Sequence, residues 1–361
     1  MILEEPQFLA GLSLWYLLSL AAWIAALVWG VRRLLYARRT SHGQPSRMRW
    51  INAGLSLWML LAGLTAVEGY FALFYDQSDS FNMTNVSDRW FKRHVRTNVA
   101  GFRDDRPLDK TAPPGVYRLW FIGDSFTFGH GVNNPADRFS DRVGAALDRQ
   151  HPGRFSVSNI AEAGISIAHV ENLIKKSLEM DYEFDTVVYV ICLNDIEPYV
   201  ESNGERYSKM GKLRAPFLIR DTYFFNLLWF RLKAAMQPQV RNYYSDLADA
   251  YREGEPLTRF LYTLDELHSL CVRHKIELRI AIFPFLHNLG PDYPFAAAHK
   301  VLIDHCRRQE IPVLDLAPAL EPHLSEGLMV NRFDAHPNER AHQLAAEAIL
   351  NDLLSDLTKS P

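Results

Sequence analysis

Hydrophobic positions are spread unevenly along this chain. Residues 8–31, FLAGLSLWYLLSLAAWIAALVWGV, include no charged side chain. A helix over that run is about 36 Å long, enough to cross a bilayer core of about 30 Å. A second run, residues 51–75 (INAGLSLWMLLAGLTAVEGYFALFY), is interrupted only by Glu68. Between them lies RRLLYARRTSHGQPSRMRW, with Arg32, Arg33, Arg38, Arg39, Arg47 and Arg49 and no acid. The residues before the first run carry Glu4 and Glu5 and no base. Short arginine-rich loops stay on the cytoplasmic side. The pattern therefore predicts a transmembrane helical hairpin over residues 1–75, loop inside and both ends outside. Everything beyond about residue 76 is then extracytoplasmic, which in a bacterium means a domain on the inner membrane facing the periplasm. The length of the first run and the lack of a basic segment before it argue against a cleaved signal peptide. Glu68 is expected near the outer end of its helix, snorkelling or paired with a polar neighbour.

Residues 76–115 are polar and irregular and read as a linker, with a short ordered piece around RTNVAGFRD. From Tyr117 the pattern changes. Strand-like runs YRLWFIG, FSVSNIA, TVVYVICL, LRIAIFP and IPVLDL alternate with helical patterns over 137–150, 166–179, 257–274, 295–309 and 338–355. Near-continuous apolar strands alternating with helices predict an α/β domain over 116–361, a central parallel sheet with helices on both faces. Residues 197–256 interrupt the alternation between the third and fourth strands. Their aromatic segment PFLIRDTYFFNLLWFRLKAAM is expected to pack on the domain or form a lid. A helix lying on the membrane face is the alternative.

Composition adds exclusions. The 361 residues carry a formal net charge of -3, so no nucleic-acid partner is indicated. Three widely spaced cysteines, Cys192, Cys271 and Cys306, form no disulfide framework, and a Cys271–Cys306 bridge stays open. There is no Gly-x-Ser-x-Gly elbow, no Walker A sequence and no His-Glu-x-x-His, and His305-Cys306 lacks a partner pair at zinc spacing. The chemistry requires no cofactor.

The first strand ends on Gly123-Asp124-Ser125, where open α/β sheets place their ligands. With Ser125 as nucleophile, acyl transfer also needs a base, a group to orient it and oxyanion donors. In NRFDAHPNERAH, His336 precedes a helical pattern and sits on a loop from which a base can reach the sheet edge. Asp334, two residues earlier, can accept from one imidazole nitrogen and leave the other to take the serine proton. NIAEAGIS puts Gly164 after the second strand, where no side chain blocks its N–H. VICLNDI puts Asn194 at the end of the third strand, its amide able to donate to an oxyanion.

The blocks GDSFTFG, AEAGIS, LND and DAHPN, in this order, resemble those of the SGNH, or GDSL-type, hydrolase superfamily over roughly residues 116–358. The resemblance implies a flavodoxin-like three-layer sandwich. It also implies Ser125 as nucleophile, His336 as base, and an oxyanion hole formed by the Ser125 N–H, Gly164 and Asn194. NVAGFRD resembles the segment before this domain in membrane-anchored bacterial members. Two positions depart from the family pattern. Cys192 stands where the third block usually has glycine. The last block usually reads Asp-x-x-His, but here Phe333 stands three before His336, and the acid is Asp334 at minus two. That Asp-x-His spacing resembles the alginate O-acetyltransferase branch. Together these features point to a membrane-anchored serine esterase or O-acyltransferase acting on an O-acylated, in particular O-acetylated, cell-surface or exported carbohydrate. The rivals are a lipid esterase such as a lysophospholipase, and a non-catalytic subunit docking on a membrane complex through the hairpin. An acyl donor crossing the membrane would require a multispanning membrane partner.

Overall fold

A computed structural model describes residues 11–41, 43–200, 214–237 and 242–359. The chain divides into two compact units. The first contains the described residues up to Arg93 and those between 213 and 234. Its helices are α1 (Leu14–Thr40) and α2 (Pro45–Leu73), of 27 and 29 residues, and α3 (Asn85–His94), whose last residue belongs to the other unit. Both α1 and α2 are long and apolar enough to cross a membrane. Helix α1 runs nine residues past the expected end at residue 31, and α2 starts at Pro45 rather than 51. Most of the arginine segment is therefore helical, because arginine is a good helix former and Pro45 suits a first helical position. Residues 8–10 of the first expected span lie outside the described residues. The indole of Trp58 donates to the Leu27 carbonyl and that of Trp23 to Thr65 Oγ1, each at 2.8 Å, tying the two helices together. Helix α3 lies within the expected linker, where the sequence pattern shows no helix. The Asp79 carboxylate accepts from the N–H groups of Phe81, Met83 and Thr84 just ahead of it, and Trp90 is fully buried.

The second unit is built on a five-stranded parallel sheet of order β2-β1-β3-β4-β5. The strands are β1 (Tyr117–Gly123), β2 (Phe155–Asn159), β3 (Thr186–Cys192), β4 (Glu277–Phe283) and β5 (Val313–Asp315), as the strand-like runs predict. This is the flavodoxin-like order, in which the strand sequence reverses at β1 and β3 and opens a crevice at their carboxyl ends. Helix α4 (Ser125–Phe128) follows β1 directly, and α5 (Phe139–Gln150) leads into β2. Helix α6 (Ile167–Glu179) joins β2 to β3. Helix α7 (Phe224–Ala235) falls almost wholly in the first unit, whereas α8 (Tyr243–Ala250) and α9 (Glu255–Arg273) belong to the second. Helix α10 (Ala296–Arg308) leads into β5, and α11 (Glu339–Ala348) lies near the C-terminus. Helix α5 packs with α11 and α6 with α9, giving one helix layer on each face. All of β3 and nearly all of β1 and β4 are buried, as strands covered on both faces must be.

The insertion is shared between the two units, and α8 puts Leu247 and Ala250 into the core of the second. Its aromatic segment groups with the hairpin and α3, because the Asn85 N–H donates to Asn226 Oδ1 and the Asn85 amide to the carbonyls of Arg220 and Thr222. Residues 201–213 and 238–241 of the insertion lie outside the described residues. Cys192, Cys271 and Cys306 are free thiols.

One buried histidine ties the fold to pH. His342 on α11 is fully buried against Phe139, and its Nδ1 accepts from the Phe139 N–H at 3.2 Å. Burial, with Arg138, Arg103 and Arg142 nearby, pushes its pKa down to about 3. The folded protein therefore keeps it neutral where the unfolded chain, with an ordinary histidine value of about 6.5, takes up a proton. Its contribution is complete above that value and is lost as pH falls from about 6.5 towards 3. Denaturant unfolding of the full chain in detergent should show wild type losing about 2 kcal/mol more than His342→Gln between pH 7 and pH 5. Equal losses would remove the assignment.

Candidate active site

The site begins where β1 runs out. A Cβ on Gly123 would stand 2.4 Å from Thr127 Oγ1 and 2.7 Å from the Val190 carbonyl, so only glycine lets the chain turn there against β3. Asp124 then caps α4, its carboxylate accepting from the Phe126 N–H at 2.9 Å. Ser125 is the first residue of α4, so its N–H has no partner within that helix.

Ser125 Oγ lies 2.8 Å from His336 Nε2, and His336 Nδ1 lies 2.5 Å from Asp334 Oδ1. A buried carboxylate beside Nδ1 only accepts, so Nδ1 carries the imidazole proton and Nε2 offers its lone pair to the serine hydroxyl. All three side chains are nearly buried, Asp334 completely. Asp334 and His336 stand on a short strand, β7 (Asp334–Pro337), paired antiparallel with β6 (Met329–Asn331). The sequence pattern puts His336 on a loop. It is instead strand-borne, and this accounts for the spacing. In a strand, residues i and i+2 share a face, so an acid two before the histidine reaches its ring, whereas Phe333 lies in the turn ahead of β7.

Asn194 sits in a 3-10 turn (Leu193–Tyr199) directly after β3, and its Nδ2 donates to Asp124 Oδ2 at 3.1 Å. The same oxygen lies 3.3 Å from Ser125 Oγ. The amide thus arrives beside the nucleophile through Asp124. Burial raises the Asp124 carboxyl from its ordinary value, opposed by these hydrogen bonds and by His336. Gly164 lies in the exposed turn after β2 with φ of +81°, and nothing stands within 4 Å of where a Cβ would be. Its φ lies in the left-handed region that glycine adopts freely.

Two residues that the sequence motifs alone do not single out belong to this constellation. His130, five residues after Ser125, stacks on His336 with ring centroids 4.2 Å apart and planes inclined by 17°. Its Nε2 is 3.6 Å from Asp334 Oδ2, so one carboxylate faces a nitrogen of each imidazole. His130, Asp334 and His336 each bring a potential ligand atom within 4.8 Å of the others. Ring lone pairs lie in the ring planes, however, and two nearly parallel stacked rings do not aim theirs at one point, so the arrangement is poor for a metal. Arg103, from the NVAGFRD segment, is buried and donates to the carbonyls of Gly129 and Val132 at 2.6 Å and of His94 at 3.1 Å. Burial, together with Arg138, pushes its guanidinium down to about 9. One side chain thus fastens the loop that carries His130. Position gives the signal for both residues: His130 directly follows the nucleophile block, and Arg103 is the one basic residue of NVAGFRD.

A serine at a strand end in line with a histidine and an acid fits the acyl-hydrolase class of α/β proteins. The chain belongs to the GDSL-like lipase/acylhydrolase family, whose model matches residues 121–344. It is thereby a hydrolase of the esterase type. It is also similar to solved structures: a lipolytic GDSL-family protein from Veillonella parvula (15% identity, 65% of this chain and 97% of that chain, TM-score 0.41) and an acetylxylan esterase from Geobacillus stearothermophilus (14% identity, 68% and 96%, TM-score 0.42). No curated protein sequence matches it.

Proposed function

We propose that the protein is a membrane-anchored serine esterase or O-acyltransferase that works through an acyl-enzyme on Ser125. The observation that carries this reading is the continuous chain Ser125 Oγ, His336 Nε2, His336 Nδ1, Asp334 at 2.8 and 2.5 Å. As Ser125 Oγ attacks the ester carbonyl, its proton passes to His336 Nε2, and Asp334 stabilises the imidazolium. The carbonyl oxygen becomes an oxyanion, held by the Ser125 N–H, the Gly164 N–H and the Asn194 amide. The intermediate collapses, the alcohol leaves with the proton from His336, and the acyl group stays on Ser125. Water or a sugar hydroxyl, deprotonated by His336, then takes the acyl group and frees the serine. Asn194→Ala is expected to lower kcat by about 10²–10³, the usual effect of removing one oxyanion donor, with KM little changed. An unchanged kcat would remove Asn194 from the hole.

Two features support the anchor. Large apolar side chains such as Trp29, Leu57, Met59 and Leu60 are exposed on α1 and α2, a surface that water does not tolerate. The arginines cluster at the turn between the helices, the arrangement of a cytoplasmic loop. The hydrolase unit then faces the periplasm, where O-acetylated carbohydrate is the proposed substrate, in keeping with the Asp-x-His spacing that resembles the alginate O-acetyltransferase branch. The full chain in detergent, given an acetyl ester, a long-chain acyl ester and an O-acetylated polysaccharide with and without a sugar acceptor, tests this. Acetyl release from the polysaccharide supports the reading, and dependence on the acceptor identifies transfer. A marked preference for the long acyl chain would favour a lipid esterase. Rates equal to those of Ser125→Ala on every substrate would favour a docking subunit.

A further inference from the structure

Glu68 is the one acid in the two apolar runs, and it is buried. Its Oε1 accepts from the Tyr16 hydroxyl at 2.9 Å and from the Tyr223 N–H at 2.7 Å, and its Oε2 accepts from the Phe224 N–H at 2.9 Å. Tyr223 directly precedes α7, and Phe224 is its first residue. The carboxylate of α2 therefore caps a helix about 155 residues away in sequence, using the orphan N–H groups and the positive end of its dipole. Glu68 stands five residues before the end of α2, about 7.5 Å along its axis, and Tyr16 stands at the start of α1. The junction thus lies at one end of the hairpin, opposite the arginine turn.

Helix α7 is apolar nearly all round. One face, with Tyr223 and Leu227, packs with Tyr16, Ala72 and Val86. The opposite row, Leu228, Leu232 and, just beyond the helix, Met236, at spacing i, i+4, i+8, is 44%, 58% and 69% exposed. In the turn before it, Phe217 and Leu218 are 78% and 85% exposed. A helix apolar on both faces belongs in a core or against lipid. Arg231 and Lys233 give it the basic residues that suit phosphate headgroups.

We propose that residues 217–236 are a third membrane-contacting element, lying in the outer interface of the bilayer beside the hairpin with Glu68 as the anchor of α7. The occupant of its outer face is phospholipid. The inference rests on the hairpin spanning the membrane and assigns a structural role to the acid within the span.

The test uses the full chain in vesicles of phosphatidylethanolamine and phosphatidylglycerol, with a nitroxide on Leu232→Cys or, as reference, on Leu60→Cys near the middle of α2. The native cysteines are buried. Collision with lipid-soluble oxygen is compared with collision with an aqueous nickel chelate. Both labels should favour oxygen, with Leu232 shallower than Leu60. If Leu60 meets the chelate, the spanning reading itself fails. If Leu60 is in lipid and Leu232 in water, the interfacial helix fails and the hairpin stands. A helix whose outer face needs a protein partner gives that second result, because the vesicles contain none. In Glu68→Gln, which keeps one acceptor and the size, exposure of the Leu232 label to the chelate should rise several-fold while Leu60 is unchanged. No change at Leu232 would overturn the anchoring role.

Discussion

Replacement of Ser125 by alanine is expected to abolish turnover of a small acetyl ester, with a loss of about 10⁶-fold, the size such a change has in serine proteases. Oγ is the atom that bonds to the acyl carbon, and it is the hydroxyl that faces His336 Nε2. The fold should tolerate the change. Asp124 keeps its hydrogen bonds from the Phe126 N–H and the Asn194 amide, and the removed atom is a single oxygen at the surface of the site. His336→Ala should cost about as much, because nucleophile and base act as one unit and removing either disables both. Thermal unfolding of each variant close to that of wild type, alongside the lost rate, would attribute the effect to chemistry rather than to folding.

Asp334→Asn is expected to lower kcat by about 10⁴-fold with KM little changed. The asparagine amide can face Nδ1 with its N–H₂ group, which turns the tautomer so that the proton sits on Nε2. His336 then presents a donor to Ser125 where an acceptor is needed. Asp334→Ala should likewise cost less than Ser125→Ala. The buried carboxylate also stands 3.6 Å from His130, so its loss removes the acid that faces the edges of both stacked rings. A kcat within tenfold of wild type for Asp334→Asn would mean that another group orients His336.

The sheet is legible in the sequence because its strands are covered on both faces. Leu119, Trp120, Phe121 and Ile122 make a fully buried run that ends on glycine, and such runs mark parallel strands without reference to partners. Ser125, Gly164 and Asn194 are legible one at a time because each follows the end of a sheet strand. What stays hidden depends on contacts that no local pattern encodes. Asp334 and His336 are both named from the sequence, but the strand β7 that carries them is not, because a strand of four residues leaves little periodicity to read. His130 enters through ring stacking across the turn after α4, and Arg103 through carbonyls some 25 residues downstream. The grouping of the insertion's aromatic segment is hidden for a related reason. Its aromatic pattern says that α7 is buried against something, and only the hydrogen bonds of Glu68 and Asn85 say that the partner is the N-terminal unit. Helix α3 leaves little trace because it is short and its pattern, NVSDRWFKRH, is mostly polar.

The most direct measurement of the central claim is the mass of the Ser125 peptide after the full chain in detergent is mixed briefly with an activated acetyl ester and quenched in acid. The account predicts one acetyl group on Ser125 in the wild-type chain, lost again on longer incubation with water or a sugar acceptor, and no acetylated peptide from Ser125→Ala. Turnover of the ester with the acetyl group on another residue, or with no acetyl on Ser125 at any time, would contradict it.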